Sequence, residues 1–116
     1  MVKHLRRDGS TYWQFPGGGK SVDEILEDTV IRELKEETGI TGTNPQKLFD
    51  LPYSKGNSTT FLVEVDTNAE PVLGVDPEEA DDDHRKLTAV AWMPIADHPE
   101  NPEVKALLRF FEAAKQ

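Results

Sequence analysis

Three glutamates close together in one predicted helix are the residues of this sequence best suited to chemistry. Glu33, Glu36 and Glu37 are spaced three and four residues apart, within a helix predicted from Val22 to about Thr38. At about 100° per residue, Glu33 and Glu37 fall inside the apolar stripe of that helix, and Glu36 lies on its edge. Like charges at this spacing repel, and partial burial adds several kcal/mol of desolvation per ion. We therefore expect a divalent cation to offset these costs.

The ligand chemistry of this cluster restricts the cation. The sequence has no cysteine, and clustered carboxylate oxygens favour Mg²⁺, with Mn²⁺ as the alternative. A solvated acidic face is the simpler interpretation of an acidic run, but the helical wheel places these acids on the wrong side for it. Arg32 lies beside the cluster. Its guanidinium is expected either to hold a carboxylate in a bidentate bond or to form an ordinary surface ion pair, and the spacing favours neither.

A glycine-rich loop leads into the same helix. Gly17, Gly18 and Gly19 follow an aromatic segment, and glycine allows the backbone to approach a ligand closely. A carbonyl of this loop can complete the coordination of a cation, and its amides can bind phosphate oxygens. A simple tight turn is the alternative. Residues 19–21 read Gly-Lys-Ser, but no glycine stands five residues before Gly19, so this is not a Walker loop.

The elements that must position these residues are strands and two helices. Strands are predicted at residues 3–7, 12–15, 46–53, 59–65 and 87–93, the third broken at Pro52. The first helix is expected to be capped by Ser21 or Asp23 and to end at Gly39. The second, at residues 103–114, is expected to bury Val104, Leu107, Leu108 and Phe111. Strands, helix, strands and helix in this order indicate the α/β or α+β class.

Composition bounds the remaining possibilities. A chain of 116 residues predicts a single domain over residues 1–116. Its formal net charge of −9 argues against a nucleic-acid partner unless metal masks the acids. No apolar run approaches the roughly 18 residues of a membrane span, and no signal peptide is evident. We therefore expect a cytoplasmic protein without a membrane partner.

Residues 18–40 carry a resemblance to a known family. They read Gly-x5-Glu-x7-Arg-Glu-Leu-x-Glu-Glu-x-Gly-Ile, which resembles the defining motif of the Nudix hydrolases (MutT-like proteins) at every fixed position. Residues 13–19 and 91–94 also resemble segments that flank this motif in the family. The resemblance implies an α/β/α sandwich around a mixed β-sheet, and Mg²⁺-dependent hydrolysis of a pyrophosphate bond in a nucleoside diphosphate linked to a group X.

The resemblance also implies roles for individual residues. Glu36 and Glu37 would be the principal metal ligands, and Glu33 would be a ligand or help to deprotonate the attacking water. The Gly17 carbonyl would be a further ligand, with Gly18 and Gly19 beside the substrate. Arg32 would orient a glutamate, and Glu24 would be a supporting carboxylate.

Two features at the margins of the resemblance leave alternatives open. Family members often draw another acid from a loop before the last strand, and Glu79 or Asp83 in the acidic run at 76–83 is the candidate; a solvated loop is the simpler interpretation for most of this run. The family usually has an additional strand before residues 3–7, which this sequence lacks. A truncated chain, a misassigned start and a homodimer whose second subunit covers the exposed edge all account for this.

The substrate follows by elimination. The marks that resemble ADP-ribose, dinucleoside-polyphosphate, NADH and coenzyme A members are absent or out of register, which leaves a nucleoside triphosphate or a modified nucleotide as the expected substrate. The alternative from another functional class is a catalytically silent Nudix-fold module that binds nucleotides or regulates a partner.

Overall fold

A computed structural model describes residues 1–18, 23–53, 56–74 and 85–114. The order of elements agrees with the α+β prediction and places two helices among five strands in the described part of the chain. The elements are β1 (Val2–Arg6), β2 (Thr11–Gln14), α1 (Leu26–Thr38), β3 (Thr43–Tyr53), β4 (Gly56–Glu64), β5 (Arg85–Val90), a short 3₁₀ turn (Ile95–Asp97) and α2 (Pro102–Ala114).

The described strands form two antiparallel sheets. One has the order β2-β1-β5, and the other pairs β3 with β4. Val2 in the central strand lies opposite Gln14 on one side and Val90 on the other, and its side chain is fully buried. The β1–β5 pairing therefore joins the first described strand of the chain to the last.

The expected break at Pro52 is wrong. Strand β3 continues through Pro52, which lies opposite Asn57, and ends at Tyr53. Among the described strands β3 is bonded only to β4, and proline is tolerated in a strand that has one edge outside the ladder.

Helix α2 packs on the sheets through a face different from the predicted one. Val104 and Leu107 are buried as expected, but Leu108 and Phe111 are 42% and 38% exposed. Phe110 instead contacts Phe49 of β3, with ring centroids 6.0 Å apart. The aromatic contact with β3 draws the buried face of α2 toward Leu107 and Phe110, so the prediction for Leu108 and Phe111 is wrong.

The start of α2 is fixed by a side-chain cap. The Asn101 carboxamide oxygen accepts hydrogen bonds from the backbone N–H groups of Glu103 (2.8 Å) and Val104 (3.2 Å), and Pro102 occupies the first helical position, where a proline costs nothing. The Asn101 side-chain nitrogen also donates to the Trp13 carbonyl at 3.2 Å. The cap therefore ties α2 to β2.

A cleft of about 1170 Å³ lies between these elements, lined by residues of both sheets and both helices. In the described part of the chain, no helix is long and apolar enough to cross a membrane.

The packing of α2 predicts a large difference between two neighbouring leucines. Leu107→Ala is expected to lower the free energy of unfolding by about 2–5 kcal/mol, because it empties a buried site. Leu108→Ala is expected to lower it by about 1 kcal/mol or less, because that side chain is 42% exposed and loses less buried surface. Urea unfolding of both variants measures the difference, and equal losses would contradict this orientation of α2.

Candidate functional site

Helix α1 is shorter than predicted at its start and ends as predicted. It begins at Leu26 with Ile25 at the cap position, and no side chain caps it. Capping by Asp23 is therefore wrong, and Ser21 lies outside the described residues. The first turn uses an acid differently: the Thr29 hydroxyl donates to Glu24 at 2.8 Å. At the other end Gly39 adopts the left-handed conformation (φ 73°) and donates to the Lys35 carbonyl.

Two carboxylates lie on the buried face of α1. The side chains of Glu33 and Glu37 are 1% and 0% exposed, and Thr29, one turn earlier, is also buried. These residues follow one another at intervals of four, so they share one helical face. The wheel prediction for Glu33 and Glu37 agrees with this burial. The apolar stripe was predicted to consist of Val22, Leu26, Val30 and Leu34, with Ile25 beside it. Of these, Leu26 and Ile25 are 42% and 58% exposed, so the start of the stripe differs from the prediction.

Arg32 connects three acids. Its guanidinium bonds both carboxylate oxygens of Glu24, at 2.7 and 2.9 Å. Its Nη1 lies 3.0 Å from Glu33 Oε1 and donates to both oxygens of Glu36 at 3.2 and 3.1 Å. The bond with Glu24 is the largest cause that raises the Arg32 pKa. Of the two alternatives for Arg32, the structure shows the carboxylate-holding one, and it adds Glu24 as the bidentate partner.

The glycine loop lies directly against the two buried carboxylates. The Gly17 N–H donates to Glu37 Oε2 at 3.0 Å. A Cβ placed on Gly18 would lie 2.6 Å from the carboxylate atoms of Glu33, which is closer than carbon atoms tolerate. A side chain at position 18 would therefore require the buried Glu33 carboxylate to move away from its contact with Arg32. Gly19 lies outside the described residues, as do Glu79 and Asp83.

The charges and donor atoms of this cluster suit a hard cation. In the part of the chain that the structure describes, the Arg32 guanidinium contacts Glu24, Glu33 and Glu36, Glu37 lies on the same helix, and burial of like charges is costly. The donors are oxygens, as Mg²⁺ and Mn²⁺ prefer. In the described ranges no three acids or histidines already converge as a metal site. The Arg32 bonds to Glu36 are consistent with this, because they hold that carboxylate toward the guanidinium.

The cluster opens onto the cleft through Glu33, Gly17 and Gly18, which line its wall. Another wall is formed by β1 and β2, where Tyr12 stacks on His4 (centroids 5.1 Å apart) and the Arg6 guanidinium lies 4.0 Å from the Tyr12 ring. Sequence analysis predicted neither this wall nor the hydrogen bond from Thr29 to Glu24. The signal for Thr29 was its four-residue spacing from Glu33.

Comparisons with known proteins identify the family. The family model described as the NUDIX domain matches residues 1–113, and the chain therefore belongs to the Nudix family. A solved structure from work on MutT of Aliivibrio salmonicida and Vibrio cholerae superposes with a TM-score of 0.54 over 92% of this chain and 86% of that one. At 24% sequence identity, this likeness shows a common fold.

Curated relatives match a shorter segment. An RNA pyrophosphohydrolase of Xanthomonas campestris pv. campestris (strain B100) is 50% identical over 39 residues, which are 34% of this chain and 18% of the relative. One of a Marinomonas species (strain MWYL1) is 54% identical over 35 residues, 30% of this chain and 22% of the relative. The matched segment thus spans about a fifth of the length of these relatives.

The contact between the glycine loop and Glu33 predicts that the same substitution lowers stability at Gly18 and changes it by less than about 0.5 kcal/mol at Gly17. Gly18→Ala is expected to lower the free energy of unfolding by about 1–3 kcal/mol, because the new methyl group overlaps the buried carboxylate. Gly17→Ala is the matched control: its Cβ would meet nothing within 4 Å. Urea unfolding of both variants tests this, and a neutral Gly18→Ala would contradict the described approach.

Proposed function

We propose that this protein hydrolyses a pyrophosphate bond in a nucleoside diphosphate linked to a group X, with a divalent cation as cofactor. The observation that carries the proposal is the pair of buried carboxylates, Glu33 and Glu37, held against the glycine loop beside a large cleft. Two buried carboxylates lower the stability of a protein unless a positive charge compensates them. A cation that also binds a polyphosphate would provide that compensation.

The cation would be held by the carboxylates of Glu36 and Glu37 and by the Gly17 carbonyl, and Glu33 would serve either as a third carboxylate ligand or as the group that accepts a proton. Mg²⁺ is the leading candidate and Mn²⁺ the alternative. When bound, it neutralises charge on the pyrophosphate and lowers the pKa of a coordinated water. For Glu36 to take part, its carboxylate has to share its present bonds to Arg32 with the cation.

The chain's own residues then have distinct tasks. Arg32 and Glu24 form a bidentate pair that fixes the guanidinium, and the guanidinium orients Glu33 and Glu36. Of the four clustered carboxyl groups, Glu33 is the one that lines the cleft. We therefore assign Glu33 as the group placed to accept the proton of the attacking water. The water oxygen bonds to phosphorus, the bridging P–O bond breaks, and the leaving phosphate fragment departs with the bonding electron pair.

A nucleoside triphosphate or modified nucleotide is the leading substrate class. The cleft volume of about 1170 Å³ is slightly above the ~300–1,000 Å³ typical of small-ligand pockets. The curated relatives are named RNA pyrophosphohydrolases, and this favours a second candidate substrate, a pyrophosphate bond carried by an RNA. The formal charge of −9 disfavours long contacts with an RNA backbone, so we rank this second.

A nucleotide panel with a variant of Glu37 tests the proposal. With Mg²⁺, the wild type is expected to release phosphate or pyrophosphate from at least one nucleoside triphosphate or from 5′-triphosphorylated RNA. Glu37→Gln is expected to lower kcat/KM at least about 100-fold, since loss of even an outer partner of a metal site typically costs roughly 10–100-fold. Chelation is expected to abolish turnover.

Glu27→Gln is the matched control, because Glu27 lies on the same helix with an exposed side chain and the same charge is removed. It is expected to retain wild-type turnover. Turnover that persists in Glu37→Gln or with chelator would overturn the mechanism. A folded wild type that binds nucleotides and hydrolyses none of them would instead favour the silent binding module.

A further inference from the structure

A loop segment crosses the C-terminal end of α1, where Glu36 and Glu37 lie. We call residues 69–74 the strap. Its Val72 N–H donates to the Thr38 carbonyl at 2.8 Å, and its Gly74 N–H donates to the Glu37 carbonyl at 3.0 Å. The last four carbonyls of a helix have no partner within the helix. The strap therefore supplies backbone donors at the helix end that carries two of the proposed ligands.

The strap approaches the helix backbone too closely for a side chain. A Cβ on Gly74 would collide with the carbonyl oxygen of Glu36. At Gly39, the residue that ends α1, an added Cβ would lie 3.5 Å from Val72 Cβ, which is ordinary van der Waals contact. Direct contact between two backbones leaves little freedom for either to shift, so the position of Glu36 and Glu37 depends on the strap.

The other end of the strap is attached to the three-stranded sheet. The indole N–H of Trp92, two residues after β5, donates to the Ala69 carbonyl at 2.9 Å. Burial contributes little to this segment, since Val72 and Leu73 are 67% and 40% exposed. The strap is therefore held by hydrogen bonds at its two ends, to the sheet at Ala69 and to α1 at Val72 and Gly74.

We propose that the strap positions the carboxylate end of α1 for the cation, with Gly74 as the positioning residue. Its two N–H donors offset part of the negative end of the helix dipole, which otherwise disfavours carboxylates at Glu36 and Glu37. The contacts of the strap with the backbone of α1 also restrict the positions of the Glu36 and Glu37 Cα atoms. This inference rests on the metal site of the proposed function, and it makes the strap and the cation mutually stabilising, since coupling between two sites is reciprocal.

Amide exchange in the wild-type protein tests the coupling without a variant. Saturating Mg²⁺ is expected to slow exchange of the Val72 and Gly74 amides about tenfold, within the usual range of coupling factors. The Gly9 amide, which donates to the Arg6 carbonyl in the β1–β2 turn, is the internal control and is expected to be unchanged. Unchanged exchange in the strap, or equal slowing at Gly9, would overturn the proposal.

Gly74→Ala tests the same point by displacement of the strap. Calorimetry is expected to show Mg²⁺ binding about tenfold weaker than in the wild type, and kcat for the best substrate about tenfold lower with KM changed less than about threefold. Thr67→Ala is the control, since Thr67 lies just before the strap with an exposed side chain, and it is expected to behave as wild type. Wild-type Mg²⁺ affinity in folded Gly74→Ala would overturn the proposal.

The outcomes separate this inference from the proposed function. If Gly74→Ala binds Mg²⁺ more weakly and the wild type hydrolyses no nucleotide, the role of the strap is supported and hydrolysis is rejected. Turnover with a strap that is indifferent to Mg²⁺ would reject the strap alone. A wild type that binds no Mg²⁺ would reject both. If Gly74→Ala does not fold, the amide-exchange result decides.

Discussion

The burial of Glu33 and Glu37 on the core face of α1 is the constraint on which the rest of the structure depends. Both side chains are almost entirely removed from solvent, and ionised carboxylates in that position are costly. The neighbouring groups answer this cost locally. Arg32 supplies a positive charge beside Glu33, and Gly17 supplies an N–H to Glu37. A divalent cation would neutralise negative charge of the same cluster.

The scaffold places backbone rather than bulky side chains around these carboxylates. Gly18 faces the Glu33 carboxylate without room for a methyl group, and a Cβ on Gly74 would collide with the backbone carbonyl of Glu36, next to Glu37. The buried face of α1 consists of Thr29, Glu33, Glu37 and Thr38, where a purely structural helix would bury apolar groups. Apolar packing instead lies away from that face, at Val2, Val104 and Leu107. Stability and chemistry are thus assigned to different surfaces of the same small domain.

The sequence predicted the features that depend on local periodicity. Glu33 and Glu37 fall on the buried face because four-residue spacing fixes a helical face, and Gly39 ends α1 because it can adopt a positive φ. The start of α1 was wrong by several residues, since Glu24, close to the expected cap, is engaged by Arg32 and Thr29. The predicted burial of Leu108 was wrong, because periodicity defines an apolar stripe but does not show which of its residues face the neighbouring strand.

Contacts between segments distant in sequence could not be predicted. The strap joins α1 through backbone groups, which every residue except proline possesses, so its sequence carries no distinctive pattern beyond Gly74. The bond from Trp92 to Ala69 likewise depends on how β5 is placed. The family resemblance implied separate roles for Arg32 and Glu24 but did not pair them, and their eight-residue separation gives no local signal for the bidentate contact.

The most direct test of the account is the effect of Mg²⁺ on the stability of the wild type and of Glu37→Gln. If the buried carboxylates bind a divalent cation, Mg²⁺ at about 100 times its Kd raises the wild-type free energy of unfolding by about 2.7 kcal/mol. Without Mg²⁺, Glu37→Gln is then at least as stable as the wild type, and it gains much less from the cation. Urea unfolding that is indifferent to Mg²⁺ in the wild type, or an equal gain in the variant, would contradict the account.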